Sequence, residues 1–239
     1  MGKVDFDFDT VNKLLGVTES YKVPDAIMSF IFDKEKREKI FNKFLSVSND
    51  VSFDWFHEYF ETEQADRKHK KQDFTPNSVS TVINRISGAT SSAMDVAAGT
   101  GGITINRWWR DCLKESPLTY MPHEHFYWCE ELSDRAVPFL IFSLAVRGMN
   151  AVVWNGDSIS RRCHGVFFIE NSEDNVLAFS DINVMPYTDE VKKYFDVSEW
   201  TGEHYPDHLE TDINRWAFNV DSNSKMKKWW GDLIAGVKD

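Results

Sequence analysis

The stretch Asp95-Val96-Ala97-Ala98-Gly99-Thr100-Gly101-Gly102 decides how this chain is read. It continues a short apolar run that starts at Ala93, and it precedes Ile103 to Leu113, which reads as a helix. Strand, glycine turn and helix N-terminus in that order leave backbone N–H groups open to a ligand. Glycine has no side chain to hold a ligand away, and the helix dipole favours negative charge at this end. A lone Gly-x-Gly-Gly is a common turn, so its weight comes from its surroundings.

Two further apolar runs downstream end in carboxylates. His125 to Cys129 leads into Glu130-Glu131, and Ala151 to Trp154 leads into Asn155-Gly156-Asp157-Ser158. A carboxylate at the end of the second strand is placed to hold ribose hydroxyls, and Glu130 and Glu131 compete for that role. The spacing from Gly99 exceeds the usual roughly 20 residues, so a loop around Ser116 to Pro122 absorbs the excess. Asp157 is placed to accept from the exocyclic amine of a purine. Helix-like segments at 102–115 and 133–147 alternate with these strands, which predicts an α/β fold with a parallel sheet. Beyond them, apolar residues 165–169 and 176–179 are expected to form a hairpin around the polar turn 170–175.

Upstream of the glycine turn the pattern is helical. Pro24 opens a helix over 24–46, broken near Asp33, with Ile27, Met28, Phe30, Ile31, Phe41 and Phe44 at spacings of three and four. Asn49 or Ser52 caps a second helix carrying Phe53, Phe56 and Phe60. A third starts near Pro76 and carries Val79, Val82, Ile83 and Ile86 as its apolar face before the breaker at 87–90. The expected organisation is a helical N-terminal segment, 1–66, followed by an α/β domain, 67–239, with an atypical, shortened C-terminal part.

The 239 residues are 42% hydrophobic and 14% aromatic, which excludes collagen-like, low-complexity and wholly disordered chains. No apolar run approaches the roughly 18–20 residues of a membrane span, and the acidic N-terminus does not read as a signal peptide, so a cytoplasmic protein is expected. Cys112, Cys129 and Cys163 lack metal-site spacing and are expected to be buried thiols. A net charge of −11 opposes unaided binding to nucleic acid, whose phosphates demand Lys and Arg. The basic run Arg67-Lys68-His69-Lys70-Lys71 stands out, as a solvated helix end or a phosphate contact. His204 and His208 flank Pro206 without a glutamate base, His123 and His125 suit a strand entry, and one Trp in each of the pairs 108–109 and 229–230 suits the core, so no metal is expected.

Taken in order, Gln72-Asp73-Phe74-Thr75-Pro76, the Asp95 to Gly102 stretch, Glu131 and Asn155-Gly156-Asp157-Ser158 resemble the gamma-class N6-adenine DNA methyltransferases. The likeness is greatest to the modification subunit of type I restriction systems. The resemblance covers roughly residues 66–158 and implies a Rossmann-like fold that binds S-adenosyl-L-methionine. It implies Phe74, Thr75 and Pro76 as a lid over the methionine part, and Asp95, Ala97, Gly99, Thr100, Gly101 and Gly102 as the cradle. It further implies Glu131, or its neighbour Glu130, at the ribose, and Asp157 with Ser158 at the adenine ring.

The same resemblance calls for an (Asn/Asp)-Pro-Pro-(Tyr/Phe) motif that holds the amine to be methylated, and this chain has none. The nearest text, Asp181-Ile-Asn183-Val-Met-Pro186-Tyr187, offers Asn183, Pro186 and Tyr187 as the catalytic loop, with Asn183 displaced by one position. Two functions follow as expectations. One is a DNA adenine-N6 methyltransferase that relies on a separate DNA-recognition subunit. The alternative is a catalytically inactive methyltransferase-fold protein that acts on a protein partner in restriction-modification or anti-restriction, as would suit a phage or other mobile element. A small-molecule methyltransferase is the weaker third.

Overall fold

A computed structural model describes residues 6–60, 75–87, 91–116 and 119–212. Phe74, the basic run at 67–71, the break at 88–90, the boundary placed at 66/67 and Trp229-Trp230 lie outside the described residues. Helices α1 (Phe8–Leu15), α2 (Val23–Ile31) and α3 (Lys34–Val47) come first. Asp33 interrupts the expected long helix because its carboxylate caps α3, accepting from the Lys36 N–H at 3.1 Å. A helical turn at 57–60 follows, then α4 (Asn77–Ile86).

The α/β part alternates β1 (Ser92–Asp95), α5 (Gly102–Glu115), β2 (Phe126–Glu131), α6 (Val137–Ala145) and β3 (Ala151–Asp157). It continues with β4 (Arg162–Glu170), β5 (Asp181–Val184), α7 (Asp189–Tyr194) and β6 (Glu199–Trp200). The six-stranded sheet has the order β1-β2-β3-β4-β5, with β6 alongside the start of β4. Strands β1, β2 and β3 are parallel, β4 is antiparallel to both β3 and β5, and β6 is parallel to β4. The architecture is therefore mixed α/β and compatible with a Rossmann-like fold.

Its winding is one-directional. Steps β1 to β2 to β3 move the same way across the sheet, and right-handed crossovers then put α5 and α6 on one face. The other face is covered by α7 and the chain after it, where Phe126, Trp154, Phe168 and Phe195 pack together.

Two expectations are corrected. The segment 165–169 is a strand but pairs with β3 and β5, while 176–179 is a turn, because β4 doubles straight back from β3. The apolar residues of α4 are not its buried face: Val79, Val82, Ile83 and Ile86 are exposed, whereas Ser80 and Asn84 are buried. The neighbour decides this, since α5 offers Asn84 the carbonyl of Ile103 at 3.1 Å and the side chain of Asn106 at 3.0 Å. Strand β1 lies at the edge of the sheet, paired only with β2 among the described residues.

The N-terminal helices share one core with the sheet. All nine residues of α6 are buried, as expected of a helix that is apolar all round. Phe142 on α6 meets Phe30, Phe41, Phe44 and Phe56 at centroid distances of 4.7 to 6.5 Å. The three cysteines are buried, and no disulfide joins them. Among the described residues no helix is long and apolar enough to cross a membrane.

Candidate functional site

The carboxyl ends of three parallel strands in register put Asp95, Glu131 and Asp157 at one end of the sheet. A cavity of about 400 Å³ opens there, within the range of small-molecule sites. Thr75, Ala97, Gly99, Gly102, Glu131, Asp157 and Ser158 line it. Sequence reasoning thus finds much of this wall, because each residue stands at or just beyond the end of a strand or helix.

The glycine turn takes the form its composition allows. Gly99 and Gly101 have φ of +58° and +103°, and a Cβ on Gly101 would lie 3.1 Å from the Leu140 side chain. The Gly101 N–H returns to the Ala98 carbonyl, and the Ala98 N–H reaches the Glu130 carbonyl at 3.0 Å. Glu131 closes the turn from the next strand, with Oε2 accepting from the Gly99 N–H at 2.8 Å and Oε1 from the Ser133 N–H at 2.7 Å. Burial raises the Glu131 carboxyl above its ordinary value, and those two N–H donors only partly offset this.

Asp95 stands behind the turn rather than in the cavity wall. Its Oδ1 accepts from the Ala97 N–H at 3.2 Å, and its Oδ2 is buried without a partner. Burial raises this carboxyl as well. Asp157 is set differently. Its oxygens accept from the Ser160 hydroxyl at 2.7 Å and the Ile159 N–H at 2.9 Å, and these bonds hold it below the ordinary value. The Ser158 hydroxyl reaches the Val96 carbonyl at 3.0 Å, tying the end of β3 to that of β1.

The two candidate ribose ligands part company by strand alternation, since side chains of β2 point alternately to opposite faces. Glu131 faces the cavity. Glu130 is buried on the opposite face, where Arg161 Nη1 touches both its oxygens at 2.9 and 2.8 Å and Trp128 donates at 3.0 Å. Thr100 is also turned away, its hydroxyl donating to Asp54. Gly101 serves the turn behind the wall, and Pro76 caps α4 beside Thr75.

Asn183, Pro186 and Tyr187 are not brought to this cavity. Asn183 is completely buried, with all its hydrogen-bonding capacity spent on the chain flanking β5. Its Nδ2 donates to the Phe168 carbonyl and Thr211 Oγ1, and its Oδ1 accepts from the N–H groups of Glu210 and Thr211. Pro186 is exposed. The Tyr187 hydroxyl donates to the His164 carbonyl and accepts from the Tyr205 N–H, and its ring stacks on His204 at 3.7 Å. The physical reason is the β3–β4 hairpin: the chain turns back after Asp157 instead of crossing over to a fourth parallel strand.

His57, Leu132 and Ile159 also line the cavity and stand outside the expected site residues. Leu132 and Ile159 immediately follow the strand-end polar residues, so proximity was a usable signal, and His57 had none. Ile159 is 95% exposed and Leu132 62%, so the cavity mouth carries apolar side chains beside its carboxylates. The mouth thus offers apolar contact and carboxylate acceptors side by side.

His123 pairs with Asp174, and His208 with Glu210. Among the described residues no group of three or more His, Cys, Asp and Glu is arranged to hold a metal ion. No protein-family model, curated protein or solved structure matches this chain.

Proposed function

We propose that this chain binds S-adenosyl-L-methionine at the carboxyl ends of β1, β2 and β3, as a protein of the N6-adenine DNA methyltransferase type. The observation that carries the reading is the convergence of Gly99, Gly102, Glu131 and Asp157, from three strand ends and one helix N-terminus, on a single cavity. The cofactor's chemistry fits these residues. Its ammonium and ribose hydroxyls are donors, and the Glu131 carboxylate, each of whose oxygens holds one N–H and keeps a further lone pair, lines the cavity as an acceptor for them. Leu132 and Ile159 offer apolar contact to a purine ring, and Asp157 lies beside them for its exocyclic amine. Bound there, the cofactor supplies a methyl group on a sulfonium. The chain's own residues orient it and exclude water from one side.

A specific observation favours a second reading, in which the ligand is bound without methyl transfer. Aligning an acceptor amine with the methyl group contributes much of the rate in such a reaction, and the residue nearest to the required clamp, Asn183, is consumed in structural hydrogen bonds. On this reading the bound protein acts on a restriction-modification partner. On the first, a DNA-recognition subunit supplies the phosphate contacts that a chain of net charge −11 lacks.

Calorimetric titration with S-adenosylmethionine and S-adenosylhomocysteine tests the binding claim. A Kd near micromolar, about −8 kcal/mol, is expected for the natural chain and is lost in Glu131→Ala. No heat of binding for either ligand overturns it. Transfer of a radiolabelled methyl group to unmethylated DNA, with candidate partner subunits added, separates the two readings.

A further inference from the structure

We infer that the N-terminal segment sets the ligand loop: Asp54, acting through Thr100, is a positioning residue for the Gly99–Gly102 turn. The inference rests on reading the cavity as a ligand site, but the order of the loop can be measured without any ligand.

Asp54 is only 6% exposed. One oxygen accepts from the Phe56 N–H at 2.9 Å, and the other from the hydroxyl of Thr100. Thr100 is completely buried, so its hydroxyl has no route to water, and losing the acceptor would leave a buried donor unpaired. The same carboxylate oxygen lies 3.9 Å from where a Cβ on Gly102 would stand, at the first turn of α5. Negative charge is favoured at that end of the helix dipole.

The stretch that bears Asp54 is itself fastened. Arg147 donates to the carbonyls of Val51 at 2.8 Å and Phe53 at 2.6 Å, and to Ser143 within its own helical turn. Its guanidinium also lies 5.0 Å from the Trp55 ring. Thr100, by contrast, stands between two glycines in the left-handed region, the residues least able to hold a single conformation unaided. The Asp54 contact ties that freedom to a rigid support, and Gly99 is then held where its N–H meets Glu131. Two residues beyond Trp55, His57 reaches the cavity wall, so the stretch that positions the loop also forms part of the site.

The test uses the full chain with Asp54→Asn, Thr100→Val and Thr100→Ser. Hydrogen exchange is followed in peptides covering 97–105 and, as an internal reference, in peptides covering β3 and β4. Thr100→Val keeps the shape and removes the donor, and Thr100→Ser restores the donor. Exchange over 97–105 is expected to accelerate about tenfold or more in Asp54→Asn and Thr100→Val, with the reference unchanged. The Kd for S-adenosylhomocysteine should rise about tenfold in the same two variants. Thr100→Ser should match the natural chain in both readouts. Exchange over 97–105 at the natural rate in folded Thr100→Val overturns the inference, as does a Thr100→Ser variant no better than Thr100→Val. If the natural chain binds no S-adenosylhomocysteine, the functional reading falls, and the exchange comparison alone decides the positioning role.

Discussion

Replacing Asn183 by Ala separates a structural from a catalytic role for this residue. The side chain makes four hydrogen bonds: to the Phe168 carbonyl at 3.3 Å, to Thr211 Oγ1 at 3.0 Å, and from the N–H groups of Glu210 and Thr211 at 2.8 and 3.0 Å. Alanine leaves those partners without their bonds. Each buried polar group left unpaired costs about 1–3 kcal/mol, and the half-exposed position of residues 210–211 lets water recover part of this, so about 2–4 kcal/mol is expected. For a chain of this size that corresponds to a fall in Tm of roughly 4–16 °C. Urea unfolding followed by tryptophan fluorescence should show a lower midpoint at an unchanged slope, while the affinity for S-adenosylhomocysteine stays within about threefold, since nothing at the cavity moves. Asn183→Asp sharpens the contrast. It keeps the two acceptor contacts but loses both donors and adds a carboxylate close to Glu210, so it should also be destabilised. A catalytic clamp of the family type accepts either Asn or Asp. An Asn183→Ala protein as stable as the natural chain but devoid of methyl transfer, with Asn183→Asp active, would refute the structural assignment.

Three further outcomes follow from the same geometry. Glu130→Gln should leave ligand affinity within about threefold while lowering stability, because it breaks the buried contact with Arg161, whereas Glu131→Gln should weaken binding about tenfold or more in calorimetry. Gly101→Ala, forced to hold φ of +103° with its methyl group against Leu140, should cost about 1–3 kcal/mol in denaturant unfolding and weaken binding as well. Burial alone would raise the Glu210 carboxyl, but the paired contacts from Arg37 at 2.7 and 2.6 Å outweigh it and hold the group below its ordinary value. Its contribution is therefore present above the unfolded value of 4.5 and is lost as pH falls through the lower folded value. The stability gap between the natural chain and Glu210→Gln, measured in urea, should be full at pH 7 and shrink as pH falls below about 4.5. A gap that does not change with pH would contradict this.

What could be read in advance was local. Asp95 to Gly102, Glu131 and Asp157 each sit at a strand end that the apolar runs announce, and a strand end needs only its own neighbourhood to be recognised. The period-two rule puts Glu130 and Glu131 on opposite faces, but both faces of β2 are apolar, with Tyr127 and Cys129 on one and Phe126 and Trp128 on the other, so the choice between them was not legible in the sequence. The inverted face of α4 was not legible, because whether Val82 or Asn84 is buried depends on what α5 presents to it. The hairpin after Asp157 escaped for a similar reason: Gly165 to Ile169 reads equally well as a strand in a hairpin with 176–179 or beside β3. The loss of a crossover there is what removes Asn183 from the cavity. Asp54 and His57 belong to the site through contacts made across the fold, and nothing in the sequence around them points to a ligand.

The most direct test of the account is a crystal structure of the chain with S-adenosylhomocysteine at saturating concentration. The account predicts ligand density in the cavity at the ends of β1, β2 and β3, with the ribose hydroxyls on Glu131 and the purine beside Leu132, Ile159 and Asp157. Density elsewhere, or a cavity empty of ligand at that concentration, would contradict it.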